Sequence, residues 1–160
     1  MAKRVVTDLE SVFCLDTNVL IKVLVNEDPI EFNQAAEAIL TRALDTGLLI
    51  APAFAWAEVG STLRKHVRQG IINGGEAETL WIRFSELPIT FLDSPRLRDR
   101  AWELADRYRL PNLYDAAFLA CIETFGPSRA LIREFWTADE VLLRALSDDP
   151  LPFVRRLQVL

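Results

Sequence analysis

Four acidic residues stand where this sequence could bind and act on a charged ligand. Each either follows a short apolar run that we interpret as a strand, or lies at the start of the next helix. They are Asp16, Glu58, Asp115 and Asp139. Ligands of open α/β sheets bind outside the carboxyl ends of the strands. The pattern therefore predicts that these four carboxylates meet at one edge of one sheet.

A group of carboxylates at one edge favours a divalent metal ion. Mg²⁺ and Mn²⁺ are hard cations that prefer carboxylate oxygens and retain several water molecules. Carboxylates within about 4–6 Å repel one another, which raises the pKa of at least one or requires a cation. We therefore expect a Mg²⁺ or Mn²⁺ ion, with room for a second to share its tasks, in a site suited to hydrolysis of phosphate esters.

Helix capping offers a structural explanation for three of the four acids. Asp16 could cap the first helix, and Asp115 occupies a third helical position, where the helix dipole favours an acid. Thr137 and Glu140 match a capping box with Asp139 as an acid of the first turn. Both interpretations stay open for these three residues.

Capping explains Glu58 less well. It lies in the mostly apolar stretch 54–60, and no basic residue follows until Arg64. Burying a carboxylate without a partner is costly, so a metal ion or a hydrogen-bond network is expected there. The alternative is an exposed glutamate on the helix surface.

Short apolar runs alternate with longer helical patterns along the chain. The runs predict five buried parallel strands, within 12–15, 48–51, 89–92, 130–136 and 153–160. The helical patterns cover 17–25, 31–46, 54–69, 74–86, 95–109, 112–125 and 138–146. This alternation predicts an α/β fold, a parallel sheet covered by helices on both sides. The helices within about 54–86 form a hairpin inserted between the second and third strands.

Composition is that of an ordinary globular protein. The 160 residues suit a single domain over 1–160, and 23 acidic against 18 basic residues give a net charge of −5. The longest uncharged stretch, 46–57, is too short to cross a membrane, and the first ten residues lack a signal-peptide pattern. We therefore expect a cytoplasmic protein. Cys14 and Cys121 each lie in an apolar run and are expected to be buried reduced thiols.

Four segments together resemble the PIN-domain family, and especially its small VapC-like members, the toxins of bacterial and archaeal toxin–antitoxin pairs. The segments are Leu15-Asp16-Thr17-Asn18-Val19-Leu20-Ile21, Ala57-Glu58-Val59, Leu113-Tyr114-Asp115-Ala116-Ala117-Phe118-Leu119-Ala120 and Thr137-Ala138-Asp139-Glu140. Their order and placement along nearly the whole chain carry the resemblance.

The resemblance implies a three-layer α/β/α sandwich and a Mg²⁺- or Mn²⁺-dependent ribonuclease. By this resemblance, Asp16, Glu58 and Asp115 would be the principal catalytic residues and metal ligands, and Asp139 a fourth, more variable one. Asn18 and Thr137, which belong to the same motifs, would orient water or the carboxylates without binding the metal ions, of which there would be one or two. The resemblance also implies an RNA substrate, a small antitoxin protein as partner, and a homodimer.

RNA binding requires positive charge near the acids. Arg64, Lys65 and Arg68, on the helix that begins near Glu58, form the densest basic cluster and are candidate RNA-binding residues. A solvated helical face is the alternative. The acidic net charge does not exclude RNA, because assigning four acids to the site leaves 19 acidic against 18 basic residues.

Two other functions remain open from the sequence. The chain could be a catalytically idle PIN-like module that binds RNA or protein. It could also be a phosphatase or phosphotransfer domain with a similar sheet. We rank the latter lower, because no phosphate-cradling glycine loop follows the first strand.

Overall fold

A five-stranded parallel sheet forms the centre of the protein. The computed structural model describes residues 11–126 and 131–159. The strands are β1 (Ser11–Leu15), β2 (Leu48–Pro52), β3 (Ile89–Leu92), β4 (Ile132–Thr137) and β5 (Val154–Arg156). They pair in the order β3-β2-β1-β4-β5, and every pair is parallel. The predicted α/β fold with about five parallel strands is confirmed.

Seven helices connect the strands in the described part of the chain. They are α1 (Thr17–Leu24), α2 (Ile30–Thr46), α3 (Ala55–Arg68), α4 (Gly74–Ser85), α5 (Pro95–Arg107), α6 (Leu113–Thr124) and α7 (Glu140–Ala145). Each predicted helix is present, with ends that differ by at most two residues. The predicted hairpin corresponds to α3 and α4, which lie between β2 and β3 in the chain.

The two strands nearest the carboxyl terminus differ from the prediction in their ends. β4 continues through Thr137, because its pairing with β1 extends to Leu15 opposite Trp136 and its pairing with β5 includes Thr137. β5 covers three residues only. Ala130 and Leu160, at the ends of the two predicted strands, lie outside the described residues.

Two apolar cores lie on opposite faces of the sheet, which gives the three layers. On one face, side chains of α1, α2 and α3 pack on Phe13, Leu15 and Leu49. On the other, side chains of α5, α6 and α7 pack on Val12 and Ile50. Alternate residues of β1 point to opposite faces, so this strand is buried on both sides. Its carboxyl end is therefore held rigidly at the middle of the sheet edge.

Two further features of the chain bear on the sequence expectations. Both cysteines are buried and neither forms a disulfide, as expected for apolar positions. Within the described ranges, no helix is long and apolar enough to span a bilayer.

Helix α6 supplies the test of the core. Phe118 is 1% exposed and its ring lies 5.9 Å from that of Phe54 and 6.1 Å from that of Phe135. We predict that Phe118→Ala lowers the free energy of unfolding by about 3–5 kcal/mol, because it leaves a cavity under the sheet. Chemical denaturation measures this. Trp102→Ala is the matched control, since Trp102 is 69% exposed; a loss of similar size in both variants would contradict the assignment of the core.

Candidate active site

Asp16 is the anchor of the site. It directly follows β1, and its backbone N–H donates to the carbonyl of Trp136, which continues the pairing with β4. The same residue is the N-cap of α1, and its Oδ1 accepts a hydrogen bond of 2.8 Å from the Thr17 N–H. The side chain is buried. The capping interpretation of Asp16 is therefore correct as far as it goes, and the carboxylate also faces the acids described below.

Thr137 and Asn18 hold the second carboxylate oxygen of Asp16. The buried Thr137 hydroxyl donates to Oδ2 at 2.8 Å, and the Asn18 amide donates to the same atom at 3.3 Å. Asn18 also accepts a hydrogen bond from the Ala138 N–H at 3.1 Å. The two residues thus link the end of β1 to the end of β4. Residues that hydrogen-bond to a carboxylate in this way orient the carboxylate and do not themselves bind a metal ion.

Asp139 caps α7, which corrects the capping interpretation made from the sequence. A Thr137–Glu140 capping box was expected, with Asp139 as an acid of the first turn. Instead, Asp139 Oδ1 accepts from the N–H groups of Val141 and Leu142, at 2.8 and 3.1 Å. The Thr137 hydroxyl accepts from the Asp139 N–H and donates to Asp16. Thr137 is the last residue of β4 and α7 begins only at Glu140, so the residue directly before the helix is Asp139.

Glu58 lies in the first turn of α3 and is half-buried. Its partner is the Thr17 hydroxyl, which donates to Oε1 over a long 3.4 Å. No basic side chain forms an ion pair with it in the described part of the chain. The sequence predicted a metal ion or a hydrogen-bond network beside Glu58. Among the described residues, the Thr17 hydroxyl is the one donor to this carboxylate, and the metal ion stays a prediction.

Among the described residues, Asp115 accepts the fewest side-chain hydrogen bonds of the four acids. It is in the first turn of α6, whose N-cap is Asn112, and is half-buried. Asn112 accepts the capping bond from the Tyr114 N–H at 3.0 Å. Neither carboxylate oxygen of Asp115 accepts a hydrogen bond from the residues that the structure describes. Helix capping therefore does not use the Asp115 side chain, and the residue lines the same pocket as Asp16 and Asp139.

The acids interact electrostatically as one group. Burial, together with the charges of Asp115 and Asp139, raises the pKa of Asp16 from its ordinary value of 3.8 to about 7, against the hydrogen bonds from Thr137 and Thr17 that lower it. Burial and the Asp115 charge raise the pKa of Glu58. Burial and the Asp139 charge raise the pKa of Asp115. Each negative charge therefore makes the next one more costly.

The donor set fits a hard divalent cation that keeps part of its water. Asp16, Asp115 and Asp139 line one pocket together with Asn18. Across 11–126 and 131–159, however, no three His, Cys, Asp or Glu side chains are grouped tightly enough to form a ligand set by themselves. Mg²⁺ commonly uses one or two carboxylates and several water molecules, and so does not require such a set. Which of the four acids are direct ligands stays a prediction.

The basic cluster expected to bind RNA faces elsewhere. Arg64 and Arg68 line a separate groove between α3 and α4, with Trp56 and Trp81 among its other residues. Lys65 is exposed. Thr62 and His66, four and eight residues after Glu58, line the pocket of the acids instead. The three basic residues of the cluster thus do not lie in the acidic pocket, and their contact with RNA stays a prediction.

The structure adds Lys22, Glu27 and His66 to this pocket. His66 is buried, with Nε2 2.6 Å from Glu27 Oε1 and Nδ1 2.8 Å from the Thr62 carbonyl. Both of its ring nitrogens therefore have partners in the fold. Lys22 and Glu27 were missed, because they fall at the end of α1 and in the following connection. The i, i+4 spacing of Asn18 and Lys22 was the available signal.

The fold, the carboxylates at the sheet edge and the order of their motifs define a class of protein. The PIN-domain family model matches residues 13–147. The chain belongs to the PIN-domain family, whose members are generally nucleases. Among solved structures, the chain is similar to the crystal structure of VapBC2 from Rickettsia felis bound to a DNA fragment from their promoter. The TM-score is 0.59 at 12% identity, over 92% of this chain and 99% of that one. No curated protein matches the sequence.

The raised pKa of Asp16 predicts the pH dependence of stability without divalent ions. Between pH values of about 4 and 7, the folded protein binds a proton that the unfolded chain has released. The free energy of unfolding therefore falls as pH rises through this range. We predict that Asp16→Asn flattens this decline by an amount on the order of a few kcal/mol, measured by denaturation in EDTA.

The control for this prediction is Asp45→Asn. Asp45 is exposed and lies in α2 just before β2, at the opposite edge of the sheet. It should leave the pH profile of the free energy of unfolding unchanged. The same profile in wild type and Asp16→Asn would show that Asp16 does not titrate in this range.

Proposed function

We propose that this protein is a Mg²⁺- or Mn²⁺-dependent endoribonuclease, the toxin of a toxin–antitoxin pair, acting as a single domain. The observation that carries the proposal is the group of mutually repelling, partly buried carboxylates at the carboxyl edge of a PIN-domain sheet. Such a group either retains a proton or binds a compensating cation, and a cation relieves the repulsion among all of its members. RNA phosphodiesters are substrates suited to that chemistry and to the family.

The four acids would divide the work according to how their oxygens are used. Asp115 offers two oxygens without hydrogen bonds from described residues, and Asp139 and Glu58 each offer one. Asp16 is held by Thr17, Thr137 and Asn18, and so would set the position of the cation within the sheet edge. When bound, Mg²⁺ or Mn²⁺ would activate water for attack on phosphorus and neutralise charge on the phosphate.

The proposed partners are a small antitoxin protein and a second copy of the chain. In support, Trp56 and Ile82 of the α3–α4 hairpin are each 53% exposed, and Trp81 is 37% exposed. Large exposed apolar side chains close together are typical of protein interfaces. The similar structure is itself of VapBC2 with promoter DNA. Size-exclusion chromatography with light scattering tests the dimer.

Incubation with total RNA tests the activity. In Mg²⁺ or Mn²⁺, we expect new RNA ends that sequencing of the fragments maps, and none in EDTA. Asp115→Asn should lower the cleavage rate by more than about a hundredfold, because changes behind a metal ligand already cost about 10–100-fold. Asp115 is chosen because its side chain makes no hydrogen bond that holds the described fold together.

Asp45→Asn again serves as the control and should cleave like the wild type. Unchanged cleavage by Asp115→Asn, or cleavage that continues in EDTA, would contradict the proposal. RNA binding without cleavage in any divalent ion would instead favour the idle PIN-like module.

Thermal unfolding tests the cation independently of activity. At a pH of about 8, Mg²⁺ or Mn²⁺ should raise the melting temperature of the wild type, because the ion binds only the folded arrangement of carboxylates. Asp115→Asn should reduce this rise, whereas Asp45→Asn should retain it. An equal rise in all three proteins would indicate that the ion binds elsewhere.

A further inference from the structure

Lys22 is a positively charged residue that lines the acidic pocket. It is in the last turn of α1 and, among the described residues that line this pocket, is the only lysine or arginine. Asn18, which contacts Asp16, is one helical turn earlier on the same face of α1. The helix thus presents a carboxylate-orienting amide and an ammonium group side by side.

The Lys22 ammonium lies close to two neighbouring side chains but forms no hydrogen bond with either. Its Nζ lies 3.9 Å from Glu27 Oε2 and 5.8 Å from the centre of the Phe32 ring. The first distance is too long for a hydrogen bond. In the described part of the chain the ammonium donates no hydrogen bond, although the side chain is only 24% exposed. Its donors are therefore free for an acceptor that enters the pocket.

Glu27 is itself occupied by another partner. Its Oε1 lies 2.6 Å from Nε2 of His66, whose Nδ1 faces the Thr62 carbonyl. This contact occupies Oε1 of Glu27, and the Lys22 ammonium lies 3.9 Å from the other oxygen, Oε2. The Lys22 ammonium is therefore not held by a hydrogen bond to Glu27.

Asn33 fixes the backbone that carries this arrangement. Its buried amide nitrogen donates to the carbonyls of Lys22, at 2.7 Å, and Val25, and its oxygen accepts from the Glu27 N–H at 3.3 Å. One side chain thus holds the end of α1 and the connection to α2 together. Lys22 is consequently presented from a fixed backbone rather than from a loose helix end.

We propose that Lys22 binds a phosphate group of the RNA, next to the position of bond cleavage. The inference rests on the proposed ribonuclease function. A phosphate oxygen is the acceptor that fits, because the substrate is a polyanion that must enter a pocket lined by acids. A cation at the rim offsets that repulsion and orients the backbone, as phosphate contacts do in other nucleic-acid complexes. Lys22 would contact the substrate and not the reacting water.

Cleavage kinetics in Mg²⁺ test this role on the RNA segment that the mapping of total RNA identifies. Lys22→Met should lower kcat/KM by about 10–100-fold, the loss expected for one charge-assisted hydrogen bond. It should also reduce the slope of log(kcat/KM) against log salt by about 0.7, the contribution of one phosphate contact on a single strand. A merely structural role for Lys22 would not change that slope. Lys22→Arg keeps the charge and should retain most of the activity.

The matched control is Arg96→Met. Arg96 is exposed and lines a separate groove with Glu123 and Thr124, at the far end of α6 from Asp115. This variant removes the same charge and should match the wild type in rate and salt slope. Wild-type rate and slope in Lys22→Met would overturn the inference and leave the ribonuclease proposal intact. A wild-type protein that does not cleave RNA would overturn both.

Discussion

The buried carboxylate of Asp16 is the constraint on which the rest of the site depends. It ends the central strand of the sheet, where loss of water raises its pKa to about 7. The donors that oppose this effect come from the start of α1 and from Thr137 at the end of β4. The pairing of Leu15 with Trp136 brings Thr137 against Asp16. Because side chains alternate along a strand, a shift of one residue in this pairing would turn the Thr137 hydroxyl to the other face.

Charge is distributed around that carboxylate in two layers. The inner layer consists of acids that repel one another, since Asp115 and Asp139 both raise the pKa of Asp16. The outer layer contains Lys22 and the His66–Glu27 pair in the same pocket. Such an arrangement is suited to a cation at the centre and a polyanion at the rim. The net charge of −5 describes neither layer, because it sums the acids of the inner layer with the acidic and basic groups of the rest of the protein.

The fold and most of the acidic site could be predicted from the sequence because both depend on local patterns. Apolar runs fix the strands, and the carboxyl end of a parallel strand locates Asp16 and Thr137. The separation of the basic cluster from the acids was not predictable, because helical spacing alone puts Lys65 close to the face of Glu58, whereas Arg64 and Arg68 line a different groove. The position of Lys22 relative to Glu27 was not predictable, because it depends on the α1–α2 connection, which has no periodic pattern. The capping role of Asp139 was missed because β4 continues through Thr137. That extension depends on pairing with β1 and β5, which the local pattern does not reveal.

Hydrogen-bond occupancy separates the residues that organise the site from those that remain free for chemistry. Both oxygens of Asp16 accept hydrogen bonds, and one oxygen of Asp139 caps α7. Asp115 accepts none from the described residues, although the seven residues that follow it in α6, 116–122, are buried. A carboxylate is costly to hold half-buried without donors, so natural folds keep one where a ligand supplies the missing interaction. Asp16 therefore ties the site to the fold, whereas Asp115 is where the fold leaves an interaction for the ligand to complete.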